Sequence, residues 1–277
     1  MIAVSGAAGV VGGEVLRAAA AAGIPARALV RRPPDQLATH AEAVQVDLDD
    51  ASAAGGALAG CEGLFLLAGF ADMPGLLAAA RASGVRRLAL LSSGAVQDGD
   101  EANAVVAMNA ASERAVRASG LRWTILRASG FQSNALRWLP QLEVGDVVRD
   151  PFPNVPIALI DPADLGAATV AALQGGHDHE TLRLTGPEAL RPAEQVAIVA
   201  AATGRPLRFE AQSQAEARNE METIMPQPFV DAIFRFFVDG EYDDSHVDPT
   251  LPTLLGRPAG TLAAWAARHA DRFQSAG

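Results

Sequence analysis

Gly6, Gly9 and Gly12 are the first residues whose type and spacing point to chemistry. They follow the apolar run of residues 1–4 and precede a helix-forming, alanine-rich stretch. A strand, a glycine-rich turn and a helix in that order open a dinucleotide-binding unit. Glycine lets the backbone turn tightly and approach a pyrophosphate with no Cβ between them. The helix start adds unpaired N–H groups and the positive end of its dipole. Gly6, Ala8, Gly9, Val10 and Val11 are therefore the expected phosphate contacts. The spacing is G-x-x-G-x-x-G, and the competing structural account is a small-residue turn packing a helix close to a strand. About twenty residues on, where an acid would select NAD through its ribose 2′-hydroxyl, stand Arg31 and Arg32. Two guanidinium groups there suit a 2′-phosphate, so the expected cofactor is NADPH. Ala68 and Gly69 end an apolar run, where small residues let backbone pass close to a ribose.

The elements that must hold these residues alternate. Residues 26–30, 43–46, 64–67, 87–91 and 123–126 read as strands, and 10–22, 72–82 and 102–119 as helices. The strands are short and almost wholly apolar, as in a parallel sheet covered on both faces. The fold class is α/β, a doubly wound parallel sheet, with ligands at the carboxyl ends of its strands. Prolines at 151, 153 and 156 interrupt the pattern, and residues 156–160 read as a further strand. Asp161 reads as the cap of a helix over 162–173. The expected division is a dinucleotide-binding domain over 1–150 and a mainly substrate-binding lobe over 151–277. Strands at 181–184 and 207–209 and helices at 211–221, 228–238 and 262–273 belong to that lobe, with a lid around 211–245.

Composition narrows the function classes. The chain has 277 residues, 49% of them hydrophobic, which suffices for a large core. A formal net charge of −10 with no basic block argues against nucleic acid or an anionic membrane surface as partner. A single cysteine, Cys61, and no cationic leader fit a reducing cytoplasm, and no stretch reads as a membrane span. All 22 basic residues of the Lys and Arg class are arginine, and Tyr242 is the only tyrosine. A tyrosine acid activated by a lysine four residues away therefore does not exist in this chain. Tyr242 is remote from the glycine turn in sequence, in an acidic run, and is expected not to be the essential acid. His177, Asp178, His179 and Glu180 suggest a metal cluster, but adjacent side chains in one loop diverge, and no metal site is expected.

Ser5-Gly6-Ala7-Ala8-Gly9-Val10-Val11-Gly12 resembles the nucleotide loop of short-chain dehydrogenase relatives. Ala28-Leu29-Val30-Arg31-Arg32-Pro33, Ser119-Gly120-Leu121-Arg122-Trp123-Thr124-Ile125-Leu126-Arg127 and Leu184-Thr185-Gly186-Pro187-Glu188-Ala189-Leu190 resemble the NmrA-like branch. The resemblance implies that Asp47 and Leu48 lie beside the adenine, although Asp47 also reads as a turn residue. It places Ser92 at the cofactor and Ser93 toward the substrate carbonyl, with a capping role for Ser93 as the competing account. Asn109 stands where many relatives have histidine or lysine; an amide bonds a ribose or a carbonyl but donates no proton in acid catalysis. Ala128, Ser129, Gly130 and Phe131 replace an Arg-Pro-Gly-type turn whose backbone holds the nicotinamide carboxamide. Phe131, Asn134, Phe229 and Phe234, with Ser93, are the expected substrate contacts, and Gln132 is a further polar candidate at the mouth.

Three readings follow. The first is an NADPH-dependent ketoreductase for a bulky planar ketone, similar to atypical reductases that tailor aromatic polyketides in antibiotic biosynthesis. Its proton would come from water, Ser93 or the substrate. The second is an NADPH:quinone oxidoreductase, because quinones take hydride without a strong protein acid. The third is a nucleotide sensor with no turnover.

Overall fold

A computed structural model describes residues 1–33, 37, 39, 41–97 and 99–274. The first half alternates as expected: β1 (Ile2–Val4), α1 (Val10–Ala21), β2 (Ala26–Val30), β3 (Glu42–Gln45), α2 (Ala51–Leu58), β4 (Gly63–Leu67), α3 (Met73–Ala82), β5 (Arg87–Ser93), α4 (Ala104–Ala118) and β6 (Arg122–Ala128). The second half runs α5 (Leu139–Leu142), β7 (Val147–Asp150), α6 (Pro162–Gln174), β8 (Glu180–Leu184), α7 (Pro192–Thr203), β9 (Arg208–Ala211), α8 (Gln214–Glu222), α9 (Gln227–Phe237), α10 (Thr250–Leu255) and α11 (Leu262–Arg268). Among the described residues, seven strands form one sheet in the order β3-β2-β1-β4-β5-β6-β8, and each pairing is parallel. The order turns back at β1, so the crevice between β1 and β4 is a switch point of the Rossmann type.

Residues 181–184 were expected in the smaller lobe; they are β8, which pairs with β6 from Thr124–Glu180 to Ala128–Leu184. Without β8, β6 would present a long apolar edge with unpaired backbone groups. Helix α6 returns with it and packs on α1. A Cβ on Gly166 would stand 2.6 Å from the Glu14 carbonyl oxygen, so the two helix backbones touch. Residues 162–184 thus rejoin the nucleotide sheet, and a boundary at 150 does not part the two bodies cleanly. Residues 156–160 make only isolated bridges, Phe131 with Ile160 and Ile157 with Leu190.

The smaller body consists of the parallel pair β7–β9 with α7 and α11, packed around Trp138, Val196 and Trp265. Helices α8 and α9 close a second cluster on Phe152, Val230 and Phe234. Asn103 fixes α9 to the sheet body: its Oδ1 caps α4 by accepting from Val105 N, and its Nδ2 donates to the Ala232 carbonyl. The chain then leaves α9 and runs as a strap, residues 238–249, across the carboxyl ends of β6 and β8. Gly130 N–H donates to Asp244, Ala158 N–H to the Asp244 carbonyl, and Asp248 N–H to the Thr185 hydroxyl. Among the described residues, no helix is long and apolar enough to cross a membrane.

Candidate active site

The glycine turn is shaped by its backbone. Gly6 has φ +59°, the left-handed region that favours glycine, and Gly9 N–H donates to the Gly6 carbonyl at 2.9 Å. A Cβ on Gly12 would lie 2.3 Å from that same carbonyl oxygen. Gly9 caps α1 without any side-chain hydrogen bond, and the first turn carries no acid. The leading N–H groups of the helix are thus left for an anion.

Beside the turn lies a groove of about 1030 Å³, lined by residues of all four neighbouring strand ends. It brings together Gly6, Ala8, Gly9, Arg31, Arg32, Asp47, Leu48, Ala68 and Gly69. Arg31 and Arg32 are exposed at its rim. Asp47 makes a local turn by accepting from Asp49 N–H, and Asp49 accepts from Ala71 N–H, which closes the floor between β3 and β4. Gly69, at φ +96°, donates its N–H to the Ser112 hydroxyl on α4, with the Met108 sulfur against it. A Cβ there would meet that sulfur at 2.8 Å. These features fit a dinucleotide: a cradle that only glycine permits, free helix N–H groups, and cationic donors on the ribose side.

At the ends of β5 and β6 several side chains are committed elsewhere. The Ser92 hydroxyl is buried and donates to Glu113 at 2.7 Å, so it does not reach the groove. Glu113, wholly buried on α4, also receives Arg127 Nε at 2.9 Å and Nη2 at 2.8 Å, and Arg117 Nη2 at 2.9 Å. Burial alone would raise its pKa, but the bonds from Arg127, Ser92 and Arg117 outweigh that and hold the carboxyl below the usual range. Asn109 is buried and donates Nδ2 to the Val105 carbonyl one turn back. Ser93 is half-buried and its Oγ accepts from Ala95 N–H, so it caps the short turn Gly94–Val96.

The turn after β6 differs from the expected role. Ser129 N–H donates to the Leu184 carbonyl and its hydroxyl to the Ala158 carbonyl. Gly130 N–H is held by Asp244 at 2.9 Å. These donors stitch β6 to β8 and to the strap, which leaves neither N–H for a carboxamide. Ala128 is buried at the end of β6, and Phe131 packs half-buried against the main core. Asn134 is exposed, whereas Gln132 is buried and bridges the Leu159 and Gly260 carbonyls. Phe234, an expected substrate contact, is buried in a T-shaped pair with Phe152, with Arg218 over its ring. Phe229 is half-buried on the same helix. In the loop before β8, His177 pairs with Glu180 at the start of that strand, and Asp178 with Arg87 at the start of β5.

Two residues outside the expected contacts stand at the site. Tyr242 reaches the end of β5: a Cβ on Gly94 would lie 2.3 Å from its Oη. Its hydroxyl donates to Asp244 Oδ1 at 2.8 Å, and Phe236 stands edge-on to its ring. Tyr242, remote from the glycine turn in sequence and expected not to be the essential acid, is thus carried by the strap to the end of β5, across more than a hundred residues of sequence. Burial, followed by the charge of Asp244, pushes the phenol above its ordinary value. Burial pushes the Asp244 carboxyl up to about 6, against the Gly130 and Tyr242 hydrogen bonds and the charge of Arg183. A tyrosine and an acid two residues apart, flanked by aromatics, were the available signal.

A family model described as NAD(P)H-binding matches residues 6–175. The chain belongs to this family and to its NmrA-like reductases, and it is an NAD(P)H-dependent oxidoreductase. It is 39% identical over 284 residues, 99% of both chains, to a (4-alkanoyl-5-oxo-2,5-dihydrofuran-3-yl)methyl phosphate reductase of Streptomyces griseus subsp. griseus. It is 30% identical over 287 residues, all of both chains, to an NAD(P)H azoreductase of Xenophilus azovorans. Its fold matches a crystal structure of an Escherichia coli NADPH-dependent quinone oxidoreductase complexed with NADPH at TM-score 0.76, with 24% identity over 97% of this chain and 99% of that one.

Proposed function

We propose that this chain uses NADPH to reduce an electron-poor, conjugated carbonyl compound, a class that includes the planar aromatic ketone inferred from its sequence. The observation that carries the cofactor half is the pair Arg31 and Arg32 on the rim of the groove, with no acid in their place. Such guanidinium groups bond a 2′-phosphate through charge-assisted hydrogen bonds. When bound, NADPH supplies a hydride. The chain's own part is to hold the nucleotide in the groove and to present the acceptor at the ends of β5 and β6. Much of the rate enhancement then comes from orientation.

The substrate half rests on what α4 lacks. With Asn109 buried and bonded to its own helix, no lysine or histidine there activates a hydroxyl. An acceptor whose conjugation spreads the negative charge left by hydride suits such a site. The names of the relatives point the same way, since a dihydrofuranone, an azo bond and a quinone are all unsaturated acceptors. A quinone is the second reading, favoured by the same observation. The test is oxidation of NADPH and NADH with an acyl-dihydrofuranone, an aromatic ketone and 1,4-naphthoquinone. Turnover with at least one acceptor and preference for NADPH are expected. Tight NADPH binding with no oxidation by any of them would overturn the reading.

A further inference from the structure

We propose that Tyr242 and Asp244 form a proton relay at the substrate end of the site, with Tyr242 Oη as the proton donor and Asp244 as the group that reloads it. The inference rests on the reductase reading above and adds a proton source to it.

Position comes first. The Tyr242 hydroxyl stands against Gly94 at the end of β5, and Asp244 stands against Gly130 at the end of β6. In a parallel sheet of this topology those strand ends border the place where ligands bind. Gly94 is required for this, because any Cβ there would occupy the place of the Tyr242 oxygen.

The hydrogen bonds then assign the roles. Asp244 Oδ2 accepts from Gly130 N–H, which cannot be withdrawn without breaking the strap from β6. A proton on Asp244 therefore sits on Oδ1, the oxygen that faces Tyr242. With Asp244 ionised, the phenol donates to Oδ1 and its hydrogen is used inward. With Asp244 protonated, Oδ1–H donates to the phenol oxygen, and the phenolic hydrogen is released toward the strand ends. The charged groups facing Asp244 are Arg183 on β8 and Asp243 on the strap, and the neutral titratable group is Tyr242. Burial and Asp243 favour the protonated form, and Arg183 opposes it. The carboxyl is pushed up to about 6, so both arrangements are reached near neutral pH.

The balance of the step is simple. Hydride reaches the acceptor carbon, and the electron pair of the double bond moves to the acceptor oxygen. That oxygen takes the phenolic proton as the Tyr242 O–H bond breaks. The phenol oxygen takes the Oδ1 proton, and the Asp244 carboxylate is reprotonated from water. The net reaction consumes one acceptor, one NADPH and one proton.

Because Tyr242 is the only tyrosine, protein labelled with ¹³C at tyrosine Cζ gives one tyrosine signal that needs no assignment and no substrate. In the wild type this signal should move with pH through a midpoint near the value of about 6 expected for Asp244. In Asp244→Asn, which keeps both hydrogen-bond partners but cannot titrate, it should stay flat. With a ketone acceptor, wild-type kcat should fall as pH rises through that midpoint. Asp244→Asn and Tyr242→Phe should each lose about 100-fold or more and show no such limb. With 1,4-naphthoquinone, whose reduced form leaves as a stabilised anion, the loss in both variants should be at least about tenfold smaller than with the ketone. Equal losses with both acceptors would mean a structural role and overturn the relay, as would a pH limb that survives in Asp244→Asn. No turnover by the wild type with any acceptor would instead sink the reductase reading and the relay with it.

Discussion

Replacing Glu113 by alanine should cost about 3–5 kcal/mol of stability, although the residue touches neither the nucleotide groove nor the strap. The side chain has no exposure and accepts four hydrogen bonds, from Ser92, from Arg127 twice and from Arg117. Summing four charge-assisted bonds at about 1.5–3 kcal/mol each would overshoot, because each replaces a bond to water and they share one desolvated group. The cost arises from what remains. The Arg127 guanidinium, only 15% exposed, would lose its counter-ion, and the buried Ser92 hydroxyl would lose its acceptor. Arg117, at 39% exposure, recovers water and adds little. The assay is urea unfolding at neutral pH, comparing midpoints at unchanged slope. The folded carboxyl is held below the ordinary glutamate range, so its contribution is complete above that range and is lost as pH falls through the folded value. The gap between wild type and Glu113→Gln should therefore narrow in acid. The double variant Glu113→Leu with Arg127→Met should be more stable than Glu113→Ala, because no buried charge is then left unpaired. A loss below about 1 kcal/mol in Glu113→Ala, or a gap that widens in acid, would refute the reasoning.

Mutating Arg31 and Arg32 together to alanine should weaken NADPH binding by at least about 1.5–3 kcal/mol and leave NADH nearly unchanged, as read by fluorescence titration. Gly94→Ala should leave the fold intact at a cost of about 1–3 kcal/mol, because displacing the Tyr242 hydroxyl takes a hydrogen bond from buried Asp244. It should thereby uncouple Tyr242 from Asp244, which the tyrosine ¹³C signal would report. Ser93→Ala should cost about 1 kcal/mol in stability through the lost cap on Ala95 N–H, and about fivefold or less in kcat.

Much of the sheet was legible because its strands are apolar on both faces and its helices start at recognisable caps. The segment at 181–184 was the exception. Its alternating Thr-Leu-Arg-Leu pattern suits an edge strand in either body, and only the packing of α6 on α1 decides which edge it covers. The short α2 escaped because its Ala-Ser-Ala-Ala-Gly-Gly sequence carries almost no periodic contrast. The nucleotide groove was legible for a different reason. A backbone that must pass a phosphate requires glycine, and the requirement is written locally, within one turn of chain.

The substrate end is not written locally, and there the residue types misled. Serines at 92 and 93 and the donors at 129 and 130 were read for their chemistry, yet each bonds to protein. A hydroxyl or N–H at a strand end is available to a ligand only if no neighbouring element claims it, and the claimant in three of these cases is distant in sequence. Glu113 takes Ser92 from 21 residues away, Ala158 takes Ser129 from 29, and Asp244 takes Gly130 from 114. The same strap that occupies Gly130 also delivers the phenol. Having neither lysine nor histidine on α4 thus does not imply an active site without an ionisable group. In this topology the crossing of residues 238–249 over the strand ends places a tyrosine and a carboxyl beside Gly94 and Gly130. The identity of residue 109 therefore says which helix lacks the acid, and the route of the strap says where one is found.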